Sequence, residues 1–477
     1  MLRKSVTESF GAAISSLNAA HLTDGVVQRS KRMLLDTLGV GLLGTTTPVF
    51  HVALEYSKRY QAKEISSVWG RPESSLPPHY ATFVNGAAVH AMDFDDTWHP
   101  ATHPSGALLP ALLALAESLP SKPSGLELLL AFNVGLEVQG RLMRFSKEAH
   151  NIPRRFHPPT VVGVMGSAAA TAKLLGLSPT QSMAALAIAC SSAGAPMANT
   201  ATQTKPLHLA NAGRRGLEAS QLALLGLEGN KQILDLESGF RIFYEDYVPH
   251  HLAEVSPTAP YRWVLEDQDI AFKRFPAHLA MHWVADAAVK VRTKILDQDP
   301  NADLSQIKRI TVRVPLSRYI DRPIPDTEHQ ARHSFQFNCC SALLDGAVTV
   351  ESFSNNLMGR KALKELLLKV HLEHPKDNQA SFDKMYCEVL VETAQGRTHT
   401  ARCNTFYGHW RKPLTREDLE KKFKANASSV LTSDAADGIV QIIDSLETIP
   451  DCSVLGSYMQ FHKHTPHKEK YFYTASV

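Results

Sequence analysis

The stretches GALLPALLALAESL (residues 106–119) and VVGVMGSAAATAKLLGL (residues 161–177) are apolar on every side and rich in Ala, Gly and Ser. Small residues let helix backbones approach closely, so segments of this kind read as central helices of a tightly packed bundle. EASQLALLGLEG (218–229) has the same texture. The first of these is the densest apolar stretch in the chain, yet it is too short to cross a bilayer and contains Pro110 and Glu117. Working outward, Val27, Met33, Leu34 and Leu38 repeat at helical spacing, and Ser178 followed by Pro179 marks a helix start with an N-cap and a proline in the first turn. Up to about residue 265 the sequence reads as helix after helix.

Near residue 300 the texture changes. IKRITVRVP (307–315) alternates in a partly period-two pattern that predicts a strand with one buried face. LLKVHLEHP (367–375) predicts another, and CEVLVET with RTHTARC around Ala394-Gln395-Gly396 predicts a hairpin. After Thr405 the helical pattern returns, with Thr415 as the N-cap of REDLEKKFKANA. The fold class expected is mainly α with an inserted α+β domain: a large helical bundle from residues 1–265 and 405–477, and a smaller α+β lid from residues 266–404. A cleft between two such domains is a common place for a ligand.

A length of 477 residues exceeds the roughly 250–300 at which one hydrophobic core stops growing, in keeping with two domains. Hydrophobic residues at 44% and charged residues at 20% are those of a soluble globular chain. The net charge of +3, from 50 basic against 47 acidic residues, argues against a dedicated nucleic-acid binder. The six cysteines include no C-x-x-C pair, so a disulfide framework, a zinc ribbon and a thioredoxin-type site are all disfavoured, and a reducing compartment fits. The opening MLRKSVTESFGAAISSLNAAH reads either as a faint mitochondrial transit signal or as an ordinary first helix.

Gly39-Val40-Gly41-Leu42-Leu43-Gly44 matches G-x-G-x-x-G, but the dinucleotide fingerprint needs a strand before it, and RSKRMLLDT reads as helix. Close helix packing is the better account. The strongest local signal is HAMDFDDTWHPATHPSG (90–106), where three aspartates and three histidines crowd around two prolines. From residue types alone three readings stand: a metal site using His90, Asp93, Asp96, His99 and His103; a metal-free polar active site; or a capped helix followed by a polar loop. Four further segments are more polar than core packing requires. RRFHPPT sets His157 before two prolines, and TQTKPLH sets Lys205 before Pro206, each expected in extended backbone. FKRFPAHLAMHW places Lys273, Arg274 and His278 at a predicted helix start, where an anion is favoured. SRYIDRPIP offers Tyr319 and Arg322 in a loop after the first strand. His278-x-x-x-His282 lacks the glutamate of a zincin helix. Together these groups suit a polyanionic small molecule.

MDFDDTWHPATHPSG, RFHPPTVVG, GAPMANTATQTKPLH, FKRFPAHLAMHWVADA and TFYGHWRKPL resemble the MmgE/PrpD family, with the likeness running from the first residues to about Cys452. The resemblance implies a helical domain with an α+β lid, a homodimer, and catalysis with no metal and no organic cofactor. It implies catalytic roles for Asp93, Thr97, His103, His157, Lys205 and Tyr319, and substrate binding by Lys273 and His278. The implied reaction is decarboxylation of the tricarboxylate cis-aconitate to itaconate, with dehydration of 2-methylcitrate or citrate as the alternative. Such a small-molecule enzyme has no nucleic-acid partner and no membrane span, and the substrate's usual location suggests mitochondria; the resemblance also implies a part in immunity. In the expected chemistry His103 is the first choice as proton donor, oriented by Asp93, with His157 second. A non-catalytic tricarboxylate-binding protein would have no need of Asp93, His103, His157 and Lys205 together. The tail HKHTPHKEKYFYTASV carries no implied role.

Overall fold

The computed structural model describes residues 5–59, 65–98, 103–150, 153 and 155–460. The molecule is mainly helical with a small sheet. Five helices, Pro78–His90, Pro104–Ser118, Gly125–Arg144, Pro158–Leu174 and Lys205–Leu224, pack as the centre of the helical part. Their contact faces are built from small residues: Gly135 and Gly166 meet at backbone distance, and Gly216 lies against Ser167. The 39–44 motif is the C-terminal end of the helix Asp24–Gly44 and serves packing. Gly39 abuts Phe423, Gly41 abuts Trp69, and a Cβ on Gly44 would stand 1.8 Å from the Ala88 carbonyl oxygen.

The expected caps are present. Ser178 caps Pro179–Cys190 in a reciprocal box with Gln181, and Thr415 caps Arg416–Ala427. Each puts a side-chain oxygen on an amide that the first turn leaves unpaired.

Among the described residues a four-stranded sheet runs in the order Val370–Glu373, Arg309–Arg313, Cys387–Glu392, Thr398–Cys403. The first pair is parallel and the other two are antiparallel. In Cys387–Glu392 alternate residues are buried, which is the period-two face read from sequence. The helix Met281–Gln298 packs against the strands, and Phe335–Asp345 packs against that helix.

Two large hydrophobic clusters result. One joins residues from Val6 to Phe272 with Leu414 to Met459; the other runs from Ala271 to Phe406. The chain therefore leaves the helical cluster, builds the α+β cluster, and returns. Lys422 marks the return: its ammonium lies 2.6 Å from buried Asp36 and 3.2 Å from the Phe94 carbonyl. Among the described residues no single helix is long and apolar enough to cross a membrane. All six cysteines are buried and unbridged.

Candidate active site

Three helices of the first cluster begin at one place. His103 directly precedes Pro104–Ser118, His157 directly precedes Pro158–Leu174, and Lys205 opens Lys205–Leu224. In each case the next residue is proline, whose missing N–H costs nothing in a first turn and whose fixed φ starts the helix there. The proline thus sets where the preceding side chain sits. Lys205 is itself helical, a correction to the extended backbone expected before Pro206, and its neighbour Pro206 occupies the first turn.

All three side chains line one cleft, together with Thr97. From the second cluster His278, Tyr319 and His333 complete the wall. Long helices pointing their N-terminal ends at one cavity add their dipoles to favour an anion there. The helix predicted to open within residues 272–283 starts at Met281, so Lys273, Arg274 and His278 lie ahead of it, and the amide of its N-cap residue, Ala280, reaches back to His278.

Asp93 is the ionic hub behind the cleft. Its backbone is left-handed (φ +52°), a conformation that Asp tolerates better than most residues. Lys273, fully buried, donates to its carbonyl at 2.7 Å and to Oδ1 at 2.5 Å, while Lys205 lies 2.7 Å from Oδ2 and His333 Nε2 3.2 Å from Oδ2. Burial pushes the Asp93 carboxyl up, but Lys205 and Lys273 outweigh it and hold the group well below the usual carboxylate range. Burial likewise pushes the Lys205 ammonium down, against the pull of Asp93. Lys273 is thus a clamp on Asp93, set back from the cavity wall, as Asp93 itself is. Lys205, the lysine of the described wall, already has an internal counter-ion.

His103 is held differently from the expectation. Its Nδ1 lies 2.9 Å from the Asp96 carbonyl and 3.2 Å from Asp95 Oδ2, whereas Asp93 stands 3.8 Å from Nε2. The ring is oriented by Asp95 and the Asp96 backbone, because the Asp93 carboxylate is taken by two lysines. His90 Nδ1 also bonds Asp95, 3.0 and 2.9 Å from its two oxygens. Asp96 accepts from the Ser105 hydroxyl, and burial pushes its carboxyl well above the usual range.

His157 Nδ1 lies 3.3 Å from His208 Nδ1. Burial, then Lys205, holds the His157 ring well below its ordinary pKa, so it is a neutral imidazole and a poor proton donor. His278 is also neutral, lowered by burial and then by His333. The Ala280 amide donates to His278 Nδ1 at 3.2 Å, which leaves the proton on Nε2, 2.5 Å from the Tyr319 hydroxyl. That bond fills the phenol's acceptor side and frees its O–H for a ligand. Burial, with Asp93 adding, raises Tyr319 from its ordinary value and keeps it protonated. Thr97 is tied to Ala271 by two backbone bonds of 2.9 Å, and its hydroxyl is buried with no hydrogen-bond partner among the described residues.

Thr97, His103, His157, Lys205, His278 and Tyr319 therefore meet at one cleft, with Asp93 and Lys273 behind it. Arg274 pairs with Asp286 and Arg322 donates to the Tyr319 carbonyl; neither lines the cavity. His99 lies outside the described residues. Sequence reasoning passed over Asp95, His208 and His333. Asp95 was in plain view inside the dense block, and His208 closes the TQTKPLH segment. His333 had only a weak signal, a histidine beside the N-cap Ser334 of Phe335–Asp345.

Two groups of donor atoms lie close enough together to face one metal ion. His90, His103 and His157 bring one ring nitrogen each within 4.8 Å of the others, as do the donor atoms of His90, Asp93, Asp95 and His103. However, the His90 and His157 rings are stacked at 29°, so their in-plane lone pairs do not converge. Both carboxylates already hold lysines or imidazole N–H groups. The set fits a hydrogen-bond network, not a coordination shell.

Residues 8–252 match the MmgE/PrpD N-terminal domain and residues 275–448 match the MmgE/PrpD C-terminal domain. The chain belongs to the MmgE/PrpD family. The gap between the two matches brackets the point where the chain passes from one hydrophobic cluster to the other. A Homo sapiens protein named cis-aconitate decarboxylase is 59% identical over 462 residues, covering 96% of this chain and 95% of the relative. A Mus musculus protein of the same name is 59% identical over 458 residues, with 95% and 93% covered. A protein of that name from Aspergillus terreus is 24% identical over 459 residues, covering 92% and 93%.

Proposed function

We propose that this protein removes carbon dioxide from cis-aconitate to give itaconate. The observation that carries the reading is 59% identity along nearly the whole length of two relatives named for that reaction, joined to a cleft whose wall suits a tricarboxylate. Those names favour decarboxylation over dehydration of 2-methylcitrate or citrate, the other reaction considered.

The chemistry follows from the substrate. At neutral pH cis-aconitate carries close to three negative charges, so its desolvation must be offset. Lys205, the Thr97 and Tyr319 hydroxyls and three helix N-termini supply that offset. The C–C bond to the carboxylate on the CH₂ group breaks, and its electron pair passes into the double bond conjugated with the far carboxylate, giving a dienolate. Because the substrate contains its own electron sink, the reading includes no metal and no organic cofactor. Lys205 faces no ketone with which to form a Schiff base and instead pairs with Asp93. The dienolate is then protonated on carbon. His103 is the donor in this reading: its Nδ1 is engaged by backbone and carboxylate, and its Nε2 is left for the cleft. Neutral His157 serves as a hydrogen-bonding wall group. The same reading carries a homodimer, a mitochondrial location and a part in immunity, supported by the motif resemblance.

Carbon-13 NMR of chelator-treated protein, incubated separately with cis-aconitate and 2-methylcitrate, tests it. Itaconate and carbon dioxide from the first are expected. Methylaconitate from the second with no carbon dioxide from the first would overturn the reading in favour of a dehydratase.

A further inference from the structure

The Asp95 carboxylate is fully buried and is met by two imidazoles. His90 Nδ1 lies 3.0 and 2.9 Å from its oxygens, and His103 Nδ1 lies 3.2 Å from Oδ2. The Asp96 carbonyl, 2.9 Å from the same His103 nitrogen, is a second acceptor for that N–H. Two acceptors at Nδ1 fix the tautomer: the neutral ring carries its proton on Nδ1, and Nε2 is the atom free to exchange a proton in the cleft. His90 Nε2 is buried with no hydrogen-bond partner among the described residues, so the polar work of that ring is its Nδ1–H to Asp95.

We propose that Asp95 is the positioning residue for His103, fixing its tautomer and stabilising its protonated form, and that His90 holds Asp95 for that task. This rests on the decarboxylase reading. In the step concerned, carbon dioxide leaves with the bond broken heterolytically, the dienolate keeps the electron pair, and the proton on His103 Nε2 passes to carbon. The ring returns to neutrality with Nδ1–H still on its acceptors and regains a proton at Nε2 from solvent. The charged and titratable groups facing His103 are the Asp93 and Asp95 carboxylates, the His90 and His157 rings at 4.5 and 6.2 Å between centroids, and the Lys205 ammonium paired with Asp93. Asp95 is the carboxylate within hydrogen-bonding distance of Nδ1. A buried carboxylate on the far nitrogen of a catalytic imidazole acts in this way in hydrolytic triads.

The test is steady-state itaconate formation by Asp95→Asn across pH, with melting temperature measured alongside. An amide presents N–H₂ to one of the two rings and removes the charge that favours imidazolium. The expected result is a fall in kcat of at least about a hundredfold with KM within about threefold, as expected where tautomer and charge are both lost. The alkaline limb of the kcat profile moves to lower pH, and melting stays within a few degrees. His90→Asn, whose amide N–H still reaches toward Asp95, should retain far more kcat than His90→Leu. Unchanged kcat in Asp95→Asn, a change confined to KM, an unmoved alkaline limb, or failure of both Asp95→Asn and His90→Leu to fold would each overturn the proposal. Wild-type protein in the same series separates the two readings. An inactive wild type removes the decarboxylase reading and this one with it, whereas an active wild type beside an unimpaired Asp95→Asn removes this one alone.

Discussion

At the scale of single residues, the site is a matter of which carboxylate holds which base. Asp93 faces Lys205, Lys273 and His333, and Asp95 faces His90 and His103. Replacing His103 with alanine should leave the fold intact, since the ring lies on a cleft wall, and should lower itaconate turnover at least about a hundredfold, a usual general-acid contribution. Near-normal turnover would take His103 out of the mechanism. Glu117 gives a separate test, away from the cleft. Burial pushes its carboxyl from 4.5 up to about 7, although the Ser67 amide donates to Oε2 at 2.5 Å. A folded pKa above the unfolded one means the folded state binds the proton more tightly. Glu117 therefore contributes its full stability below about pH 4.5 and loses it as pH rises through 7. Glu117→Gln should gain on wild type across that window by up to about 3 kcal/mol, read from urea midpoints at pH 5 and pH 8. A difference independent of pH would show that Glu117 does not titrate there.

At the scale of elements, the pattern that matters is a functional side chain followed by proline and then a long helix, used at His103, His157 and Lys205. The prolines were legible as interruptions of the chain; that their helices converge was not, because convergence is a tertiary property of segments about fifty residues apart. The same limit explains Asp95. Its segment stood out in sequence as unusually polar, but the choice between Asp93 and Asp95 as partner of His103 depends on Lys205 and Lys273, which arrive from elsewhere and occupy Asp93. Helix packing was easier to read, since small residues state it locally. Gly44→Ala is expected to cost at least about 2 kcal/mol, because the new methyl meets the Ala88 carbonyl oxygen at 1.8 Å and backbone must move. A melting temperature equal to wild type would mean the two helices can part without penalty.

At the scale of the whole molecule, the mainly helical class with a small sheet was legible from the change in periodicity near residue 300, as was the return of helix after Thr405. Periodicity reports burial one face at a time, so it finds elements well and their partners poorly. The return segment supplies Leu419, Phe423, Ile439 and Ile443 to the first hydrophobic cluster and the Lys422 ammonium to buried Asp36. A chain ending at residue 413 should therefore lack cooperative unfolding in its helical part, measured by circular dichroism against denaturant, while Lys422→Met should destabilise by about 3 kcal/mol or more by stranding Asp36. Wild-type-like melting of either would show that the return segment is an accessory.

That discontinuity has an effect during synthesis. The residues from Ala271 to Phe406 form an apolar cluster of their own, and all of it has left the ribosome before the return segment does. The helical part, although translated first, waits with one wall missing until Leu414 to Met459 emerge. The nascent chain thus spends the interval with its oldest portion the least finished, holding apolar surface that a chaperone would recognise, and the cleft, which draws on both parts, is completed last.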